Sequence, residues 1–300
     1  MQQLYDVPAP AKLNLFLHVT GRRADGYHLL QSVFMLLDWC DQLHFALRAD
    51  GAITREDLGA PLPVDDLCLR AARALKAATG CTQGVHMGVE KRIPVQAGMG
   101  GGSSDAASTL IALNRLWKLG LTHAQLHRIA LPLGADLPFF LYGENAWVEG
   151  IGDIIRPLGA EGALQQADFA IVKPAAGLDT KAIFSSPLLK RDSGYATIQG
   201  FAAEHRQTPY GFGRNDLQPV AQTLCPEVKE AIQWLSGQGL AARMTGSGSA
   251  VFAAIPHGFE LRDAPGAWQF KVCKNLALHP LRDWVPARKS GLPASGGRPV

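Results

Sequence analysis

Residues 12 to 19 alternate between apolar and mixed positions, which predicts a half-buried β-strand. One face carries leucines and a valine, and the other carries Lys12, Asn14, Phe16 and His18. The Cα atoms of Lys12 and Asn14 lie about 6.6 Å apart on such a strand, so both side chains can hold one substrate. The same alternation also fits a polar edge that faces solvent. Shorter apolar runs predict further strands at 33–37, 43–47, 85–93, 146–148 and 169–172.

Helical spacing and capping residues predict several helices between these strands. Asp65 or Asp66 is expected to cap one that Gly80 ends, and Thr122 with Gln125 forms a capping box for another that runs to about Leu131. In the second half, helices are expected at 180–184 and 226–236, with a polar connection from about 190 to 214. Two short strands are expected to flank the turn within residues 244–252.

The most informative segment is the glycine-rich stretch from Pro94 to Ala107, which runs into a helix expected to begin with Ser103 as its N-cap and to end by Gly120. Without Cβ atoms, its glycines let backbone N–H groups approach a ligand. The positive end of the helix dipole favours an anion such as phosphate at the same place. The segment therefore predicts a phosphate site, with a plain turn between strand and helix as the alternative. The glycines are Gly98, Gly100, Gly101 and Gly102.

Two widespread phosphate loops do not fit these residues. The P-loop requires a lysine after its last glycine, whereas Ser103 follows Gly102 here. The dinucleotide fingerprint requires a glycine at position 103 and an acidic residue about 20 positions later, where residues 117–119 are Trp-Lys-Leu. A nicotinamide cofactor is therefore not expected.

Asp136 is the strongest candidate for acid–base chemistry. It lies between Gly134-Ala135 and the apolar run 137–140. A carboxylate that lies close to Lys12 would accept or orient an alcohol proton, a role worth about 10²- to 10⁴-fold in rate. The alternative is an aspartate that only caps a turn before Pro138. A second glycine turn, Gly246–Ser249, is either a simple hairpin turn or a backbone approach to the first loop or a substrate.

Composition excludes several classes of function. With 300 residues and 47% hydrophobic side chains, the chain has the profile of a globular protein, and we expect two domains, 1–157 and 158–286. Residues 287–300, rich in Gly, Pro, Ser and basic side chains, are expected to be a disordered tail. A net charge of +3 without a basic run argues against nucleic acid, and no apolar stretch predicts a membrane span. Five cysteines without a Cys-x-x-Cys pair favour neither disulfides nor zinc, so a cytoplasmic protein is expected.

Taken together, five segments of this chain resemble the GHMP kinase superfamily. The glycine loop and the second glycine turn are typical of the superfamily, whereas Gly-Arg-Arg-x-Asp-Gly-Tyr-His is particular to one kinase within it. The resemblance implies a two-domain α/β (α+β) fold with the active site in the cleft between the domains. The segments are residues 10–17, 21–28, 94–107, 134–140 and 244–249.

The resemblance also implies an activity, the ATP-dependent transfer of a phosphoryl group to the 2-hydroxyl of a methylerythritol unit in a cytidyl diphosphate substrate. Asp136 is then the catalytic base and Lys12 its charged partner. The implied substrate residues are Asn14 for the methylerythritol diphosphate portion, Tyr27 and Phe184 on the two faces of the cytosine, and His28 at its edge. The ATP phosphates would be held by Pro94, Gly98, Gly100, Gly101, Gly102, Ser103 and Ser104, with magnesium carried on the nucleotide.

Three residues depart from the pattern expected for this family. Met99 stands for a leucine of similar volume, Asp153 for a glutamate, and Asp179 for a small hydroxyl residue. Asp179 precedes Phe184 and puts the local contacts of that aromatic ring in doubt. Alternatives to the cytidyl activity are another GHMP kinase that acts on mevalonate, homoserine or a sugar, and a non-catalytic nucleotide-binding homologue. No residue is assigned as a metal ligand, and the oligomeric state is left open.

Overall fold

The computed structural model of the chain describes residues 2 to 286. Within that range the strands are β1 (Gln3–Arg22), β2 (His28–Arg48), β3 (Ile53–Asp57), β4 (Gly84–Glu90), β5 (Ala146–Glu149), β6 (Ile154–Pro157), β7 (Asp168–Lys173), β8 (Arg243–Met244), β9 (Val251–Ile255) and β10 (Gln269–Leu276). The α-helices of the same range are α1 (Leu67–Thr79), α2 (Gly101–Leu116), α3 (His123–Ala130), α4 (Leu137–Tyr142), α5 (Thr180–Ser185), α6 (Ile198–Gln207), α7 (Gln218–Leu224) and α8 (Pro226–Ser236). The tail expected at 287–300 lies outside the described residues.

Two long antiparallel strands, β1 and β2, organise the sheet. The strands predicted at 33–37 and 43–47 are both parts of β2, which runs without a break for 21 residues. The sheet order is β3-β4-β2-β10-β7-β9-β8, and within it β3 and β4 pair in parallel. Strand β10 pairs with β2 and with β7, so it joins the two halves of the chain.

The mixed face of β1 is buried, so the interpretation of a polar edge facing solvent is wrong. Lys12 and Asn14 are each only 3% exposed. A register shift between Asn14 and Leu17 interrupts the strict alternation, and Leu15 and Phe16 both enter the same apolar cluster. This burial places a charged and an amide side chain inside the protein, where they need specific partners.

Three apolar clusters surround this strand pair. The first lies between β1, β2 and β4 on one side and α1 to α4 on the other. The second is rich in aromatic rings and includes Phe16, Trp147, Phe169 and Phe252. The third is formed where α5, α7 and α8 pack on β7 and β9. Since residues of β1 take part in all three clusters, its polar side chains are held on a rigid support.

Most predicted elements are present, and the helix expected at 226–236 matches α8. The polar connection expected at 190–214 is wrong in part, because α6 lies within it. This helix is capped by the Thr197 side chain and buries Phe201 and His205. Its buried face is too narrow to give a recognisable helical pattern among the surrounding polar residues. The domain boundary at residue 157 coincides with the end of β6 and stays a prediction. Across residues 2–286, no helix has the length and apolar character needed to span a membrane.

Candidate active site

The glycine loop opens α2 earlier than the sequence predicts. Gly100, with φ +71°, is the N-cap in place of Ser103, and Gly101 and Gly102 form the first helical turn with Ser103. Among the glycines of this loop, Gly98 and Gly100 have the left-handed backbone that glycine permits, and Gln96 has a positive φ of +51° as well. The first-turn amides have no carbonyl one turn earlier to accept their hydrogens, so they are available to an anion.

An open cavity of about 540 Å³ lies against this loop. Its lining includes every residue from Pro94 to Ser103, with the side chains of Arg70 and Lys91 close by. Ser104 is not part of the lining; it is fully buried in α2, and its Oγ has no hydrogen-bond partner within residues 2–286. Backbone amides, a helix N-terminus and the guanidinium of Arg70 together make the cavity suitable for a polyphosphate, whereas the Lys91 ammonium is already paired with Asp41 and Asp105.

The second glycine turn packs directly on the first loop. A Cβ atom at Gly98 would lie 2.4 Å from the Thr245 carbonyl oxygen and 2.8 Å from the Gly248 nitrogen. The Ser249 amide donates to the Gln96 carbonyl at 3.1 Å, and Ala250 donates to Ala97 at 3.2 Å. The approach to the first loop and the hairpin are both confirmed, because the turn also joins β8 to β9, whereas an approach to a substrate stays a prediction.

Lys12 and Asp136 form an ion pair beside the glycine loop. The Lys12 Nζ atom lies 3.6 Å from Asp136 Oδ2 and 4.5 Å from the centre of the Phe34 ring. The backbone of Lys12 is anchored by donation to the Met99 carbonyl at 3.0 Å. Burial lowers the pKa of the Lys12 ammonium below its ordinary value, and the carboxylate of Asp136 partly opposes that shift.

Asp136 precedes α4 without capping it. Its backbone occupies the N-cap position, but its carboxylate accepts no hydrogen bond from the helix. The alternative of a purely structural turn aspartate is therefore not supported by its contacts. Its side chain is 31% exposed, so it can meet a ligand while the adjacent lysine is buried.

Asn14 is held by a network that spans both halves of the chain. Its side-chain oxygen accepts a hydrogen bond from Lys12 Nζ, and its Nδ2 donates to Ser32 Oγ at 2.9 Å. The Asn14 backbone amide donates to Thr245 Oγ1 at 2.8 Å. The sequence singled out neither Ser32 nor this role of Thr245, because a lone hydroxyl residue gives no signal of its own. The network fixes the orientation of the Asn14 amide next to the ion pair.

A second cavity, of about 700 Å³, contains the three residues proposed for a base. Tyr27, His28 and Phe184 all line it. The His28 and Phe184 rings are stacked, with centroids 5.0 Å apart and planes 28° apart, while Tyr27 is 61% exposed on the turn between β1 and β2. Burial, followed by the charges of Arg191 and Arg22, lowers the pKa of His28 below its ordinary value, which favours the neutral imidazole.

The doubt about Asp179 is removed by its contacts. Its carboxylate accepts a hydrogen bond from the Lys181 amide at 2.9 Å and caps α5, the helix that carries Phe184. At the start of the same helix, Thr180 lines both cavities and makes a 2.8 Å hydrogen bond with Ser247 of the second glycine turn. The two cavities are therefore neighbours, joined at Thr180.

The comparisons with known proteins agree with this arrangement. The model for the GHMP kinases N terminal domain matches residues 66–144, and the model for the GHMP kinases C terminal domain matches residues 201–272. A curated relative from Acidovorax sp. (strain JS42), named 4-diphosphocytidyl-2-C-methyl-D-erythritol kinase, is 72% identical over 285 residues, covering 95% of this chain and 99% of its own length.

Solved structures give the same result for the fold. The crystal structure of a 4-(cytidine 5'-diphospho)-2C-methyl-D-erythritol kinase has a TM-score of 0.74 and 30% identity, and the match covers 91% of this chain and 99% of that one. A homoserine kinase from Cytophaga hutchinsonii has a TM-score of 0.67 over 93% of this chain and 96% of its own. At 14% identity, the latter supports the fold alone.

Proposed function

This chain belongs to the 4-diphosphocytidyl-2-C-methyl-D-erythritol kinases, a branch of the GHMP kinases, and we propose that it phosphorylates the compound named by that family. The γ-phosphoryl group of ATP passes to the 2-hydroxyl, giving the 2-phosphate and ADP, in the mevalonate-independent route to isoprenoid precursors. The observation that carries the proposal is the pair of neighbouring cavities, one walled by the glycine loop and one by aromatic rings.

The neighbours of Lys12 and Asp136 support a catalytic role for this pair. On one side, a Cβ atom at Gly100 of the glycine loop would lie 3.2 Å from Lys12 Cγ. On the other, a Cβ atom at Gly152 would lie 3.8 Å from Asp136 Oδ1, and the preceding residue, Ile151, lines the aromatic cavity. We assign Asp136 as the base that accepts the hydroxyl proton. Lys12 stabilises the negative charge that develops there.

Phosphoryl transfer depends mainly on positioning and on charge stabilisation. The glycine loop supplies backbone N–H donors and the helix N-terminus, which hold the phosphates of ATP in line with the acceptor hydroxyl. Asn14, already oriented by its hydrogen bonds to Ser32 and Lys12, is assigned to the methylerythritol diphosphate portion. Magnesium is proposed to arrive with the nucleotide, where it would neutralise phosphate charge.

The aromatic cavity is assigned to the cytosine. Tyr27 and Phe184 offer faces on which a base can stack, and His28 offers a ring nitrogen at its edge. Such a pocket serves no purpose in a kinase for mevalonate, homoserine or a sugar. We also propose a cytoplasmic location, which the free thiols of all five cysteines support.

The test is ADP release with MgATP against 4-diphosphocytidyl-2-C-methyl-D-erythritol, mevalonate, homoserine and galactose, followed by phosphorus NMR of the product. We expect turnover with the cytidyl compound alone and a new 2-phosphate resonance. Turnover with a different alcohol would contradict the assignment of the aromatic cavity. Binding of ATP without turnover of any compound would contradict the catalytic role of Lys12 and Asp136.

A further inference from the structure

Arg191 joins the two rings of the aromatic cavity through a dense set of hydrogen bonds. Its Nε donates to His28 Nε2 at 3.0 Å. One terminal nitrogen donates to the Phe184 and Ser186 carbonyls at 3.0 and 2.8 Å, and the other donates to the Leu189 carbonyl at 3.0 Å. Four of the donors that a guanidinium offers are thus used on fixed acceptors.

The contact with Arg191 determines which nitrogen of His28 carries the proton. A guanidinium only donates hydrogen bonds, so the His28 Nε2 that faces it must be the unprotonated acceptor. In a neutral imidazole the proton then resides on Nδ1. Within residues 2–286, Nδ1 of His28 makes no hydrogen bond, and the residue lines the aromatic cavity.

The guanidinium itself is well fixed. Its three carbonyl acceptors belong to the end of α5 and the turn after it, where the last carbonyls of a helix favour a cation. Two residues later, the backbone amide of Ser193 donates to the Val19 carbonyl at 3.0 Å, and the hydroxyl of Ser193 donates to Asp216 Oδ2 at 2.6 Å. The segment that carries Arg191 is therefore tied to β1, close to the start of β2 where His28 lies.

We propose that Arg191 is a positioning residue that fixes His28 as an Nδ1–H donor and thereby makes the pocket prefer cytosine to uracil. The two bases differ at N3, which accepts a hydrogen bond in cytosine and carries a hydrogen in uracil. A fixed donor at the base edge pairs with the first and repels the second. This inference rests on the proposed function, since it assumes that a pyrimidine occupies the aromatic cavity.

The protonation state is tested by long-range ¹H–¹⁵N NMR of histidine-labelled protein, with the His28 signals assigned by their loss in His28→Gln. We expect Nδ1 protonated and Nε2 unprotonated in the wild type, and a mixture of tautomers in Arg191→Met. Lys190→Met is the matched control, because Lys190 pairs with Asp192 on the same segment and does not contact His28. A wild-type His28 protonated at Nε2 would overturn the inference.

Base preference is tested by titrating each variant with the cytidyl compound and with its uridyl analogue, without ATP. Loss of one fixed donor is expected to reduce the ratio of the two affinities about tenfold in Arg191→Met. In a His28→Ala background, Arg191→Met should not change the affinity ratio any further. If the role of Arg191 were merely structural, Arg191→Met would reduce the affinities to the same extent in the wild-type and His28→Ala backgrounds. Arg191→Lys keeps the charge without the planar fork and provides a second folded variant if Arg191→Met is unstable.

These outcomes separate the inference from the proposed function. Turnover of the cytidyl compound with an unchanged affinity ratio in Arg191→Met would overturn the role of Arg191 and leave the kinase assignment intact. A ratio that depends on Arg191 in a protein that turns over no cytidyl compound would support the role of Arg191 and overturn the catalytic assignment.

Discussion

The Nζ atom of Lys12 lies 3.6 Å from Oδ2 of Asp136, and no other carboxylate within the described part of the chain forms an ion pair with Lys12. The lysine side chain is buried, whereas the aspartate side chain is 31% exposed. Under the proposed function this asymmetry suits proton transfer, because the exposed aspartate would meet the substrate and the buried lysine would supply charge that does not move. The buried lysine loses its only counterion if the aspartate is neutralised.

We predict that Asp136→Asn lowers kcat by about 10²- to 10⁴-fold, the usual contribution of a positioned base. The amide keeps the shape of the side chain, so the affinities for MgATP and for the cytidyl compound should stay within a few-fold. Steady-state kinetics and equilibrium titration of both ligands measure the two effects separately.

Asp153→Asn provides the matched control for Asp136→Asn. Asp153 lies on the neighbouring turn, and its Oδ1 accepts a hydrogen bond from the Ile151 amide at 3.0 Å, which the asparagine oxygen preserves. Near-normal turnover is therefore expected in this variant. If Asp136→Asn turned over substrate as fast as Asp153→Asn, Asp136 would not be the base.

We predict that Gly98→Ala separates the two glycine turns. Both Gly98, with φ +72°, and the control Gly120, with φ +65°, would carry a strain of about 1–2 kcal/mol as alanine. Only Gly98 would also force a Cβ atom to 2.4 Å from the Thr245 carbonyl, since nothing lies within 4 Å of the position at Gly120. Thermal unfolding and MgATP titration should show a larger loss of stability and weaker nucleotide binding for Gly98→Ala alone. Equal effects of the two substitutions would mean that the two glycine turns move apart at little cost in free energy, which would contradict the prediction.

The glycine loop could be predicted from the sequence because local chemistry marks it, whereas the roles of Lys12 and Asp136 follow from the resemblance to the GHMP kinases and stay predictions. A glycine run before a helix and an aspartate within apolar residues need no knowledge of distant contacts. The N-cap was wrong because Ser103 is a good capping residue in isolation, whereas the turn that packs against Thr245 and Gly248 fixes Gly100 at that position.

Residues whose roles depend on long-range contacts could not be predicted. Arg191 lies in a segment that the sequence predicts to be a polar connection. Its role depends on the contact with His28, which is 163 residues away in sequence. The depth at which Lys12 is buried was equally hidden, because alternation along one strand does not reveal what covers its polar face. Such features depend on topology, which single-strand patterns do not encode.

We predict that Tyr27→Ala raises KM for the cytidyl compound about tenfold, since stacking of a base on an aromatic ring contributes roughly 1–3 kcal/mol. KM for MgATP should not change, because Tyr27 lines the aromatic cavity and not the glycine-loop cavity. Tyr5→Ala is the control, as Tyr5 is 63% exposed against 61% for Tyr27 and lies at the far end of β1. A KM that responds equally to both substitutions would contradict a base-binding role.

We predict that Lys91→Met lowers the free energy of unfolding by about 3–5 kcal/mol, the usual cost of breaking a buried ion pair. The Lys91 ammonium contacts Asp41, which is fully buried, and lies 2.6 Å from Asp105 Oδ2. Without the lysine, two buried carboxylates lose their shared counterion, although Asp41 Oδ1 still accepts from the Ile93 amide at 2.7 Å. The adjacent surface pair of Arg92 with Glu90 provides the control, since Arg92→Met removes a solvent-screened pair and should lower the free energy of unfolding far less. Urea unfolding of both variants at pH 7 measures the difference, and similar losses would show that the buried cluster contributes no more than a surface pair.

The pH dependence of stability should report on His279, whose imidazole is buried beside Gly143 and Leu281. Burial lowers its pKa from 6.5 to about 4 in the folded protein. As the pH falls from 6.5, the unfolded chain binds a proton that the folded protein cannot, so stability decreases until the folded pKa is reached. Between pH 7 and pH 5 this group should account for a loss of about 2 kcal/mol. In His279→Asn the asparagine oxygen can still accept from the Leu281 amide, and the loss of unfolding free energy over this pH range should be smaller by about that amount. The control is His257→Asn, which should behave as the wild type does because the His257 side chain is 98% exposed. Urea unfolding at the two pH values decides the matter, and an unchanged pH dependence in His279→Asn would mean that His279 is protonated equally in both states.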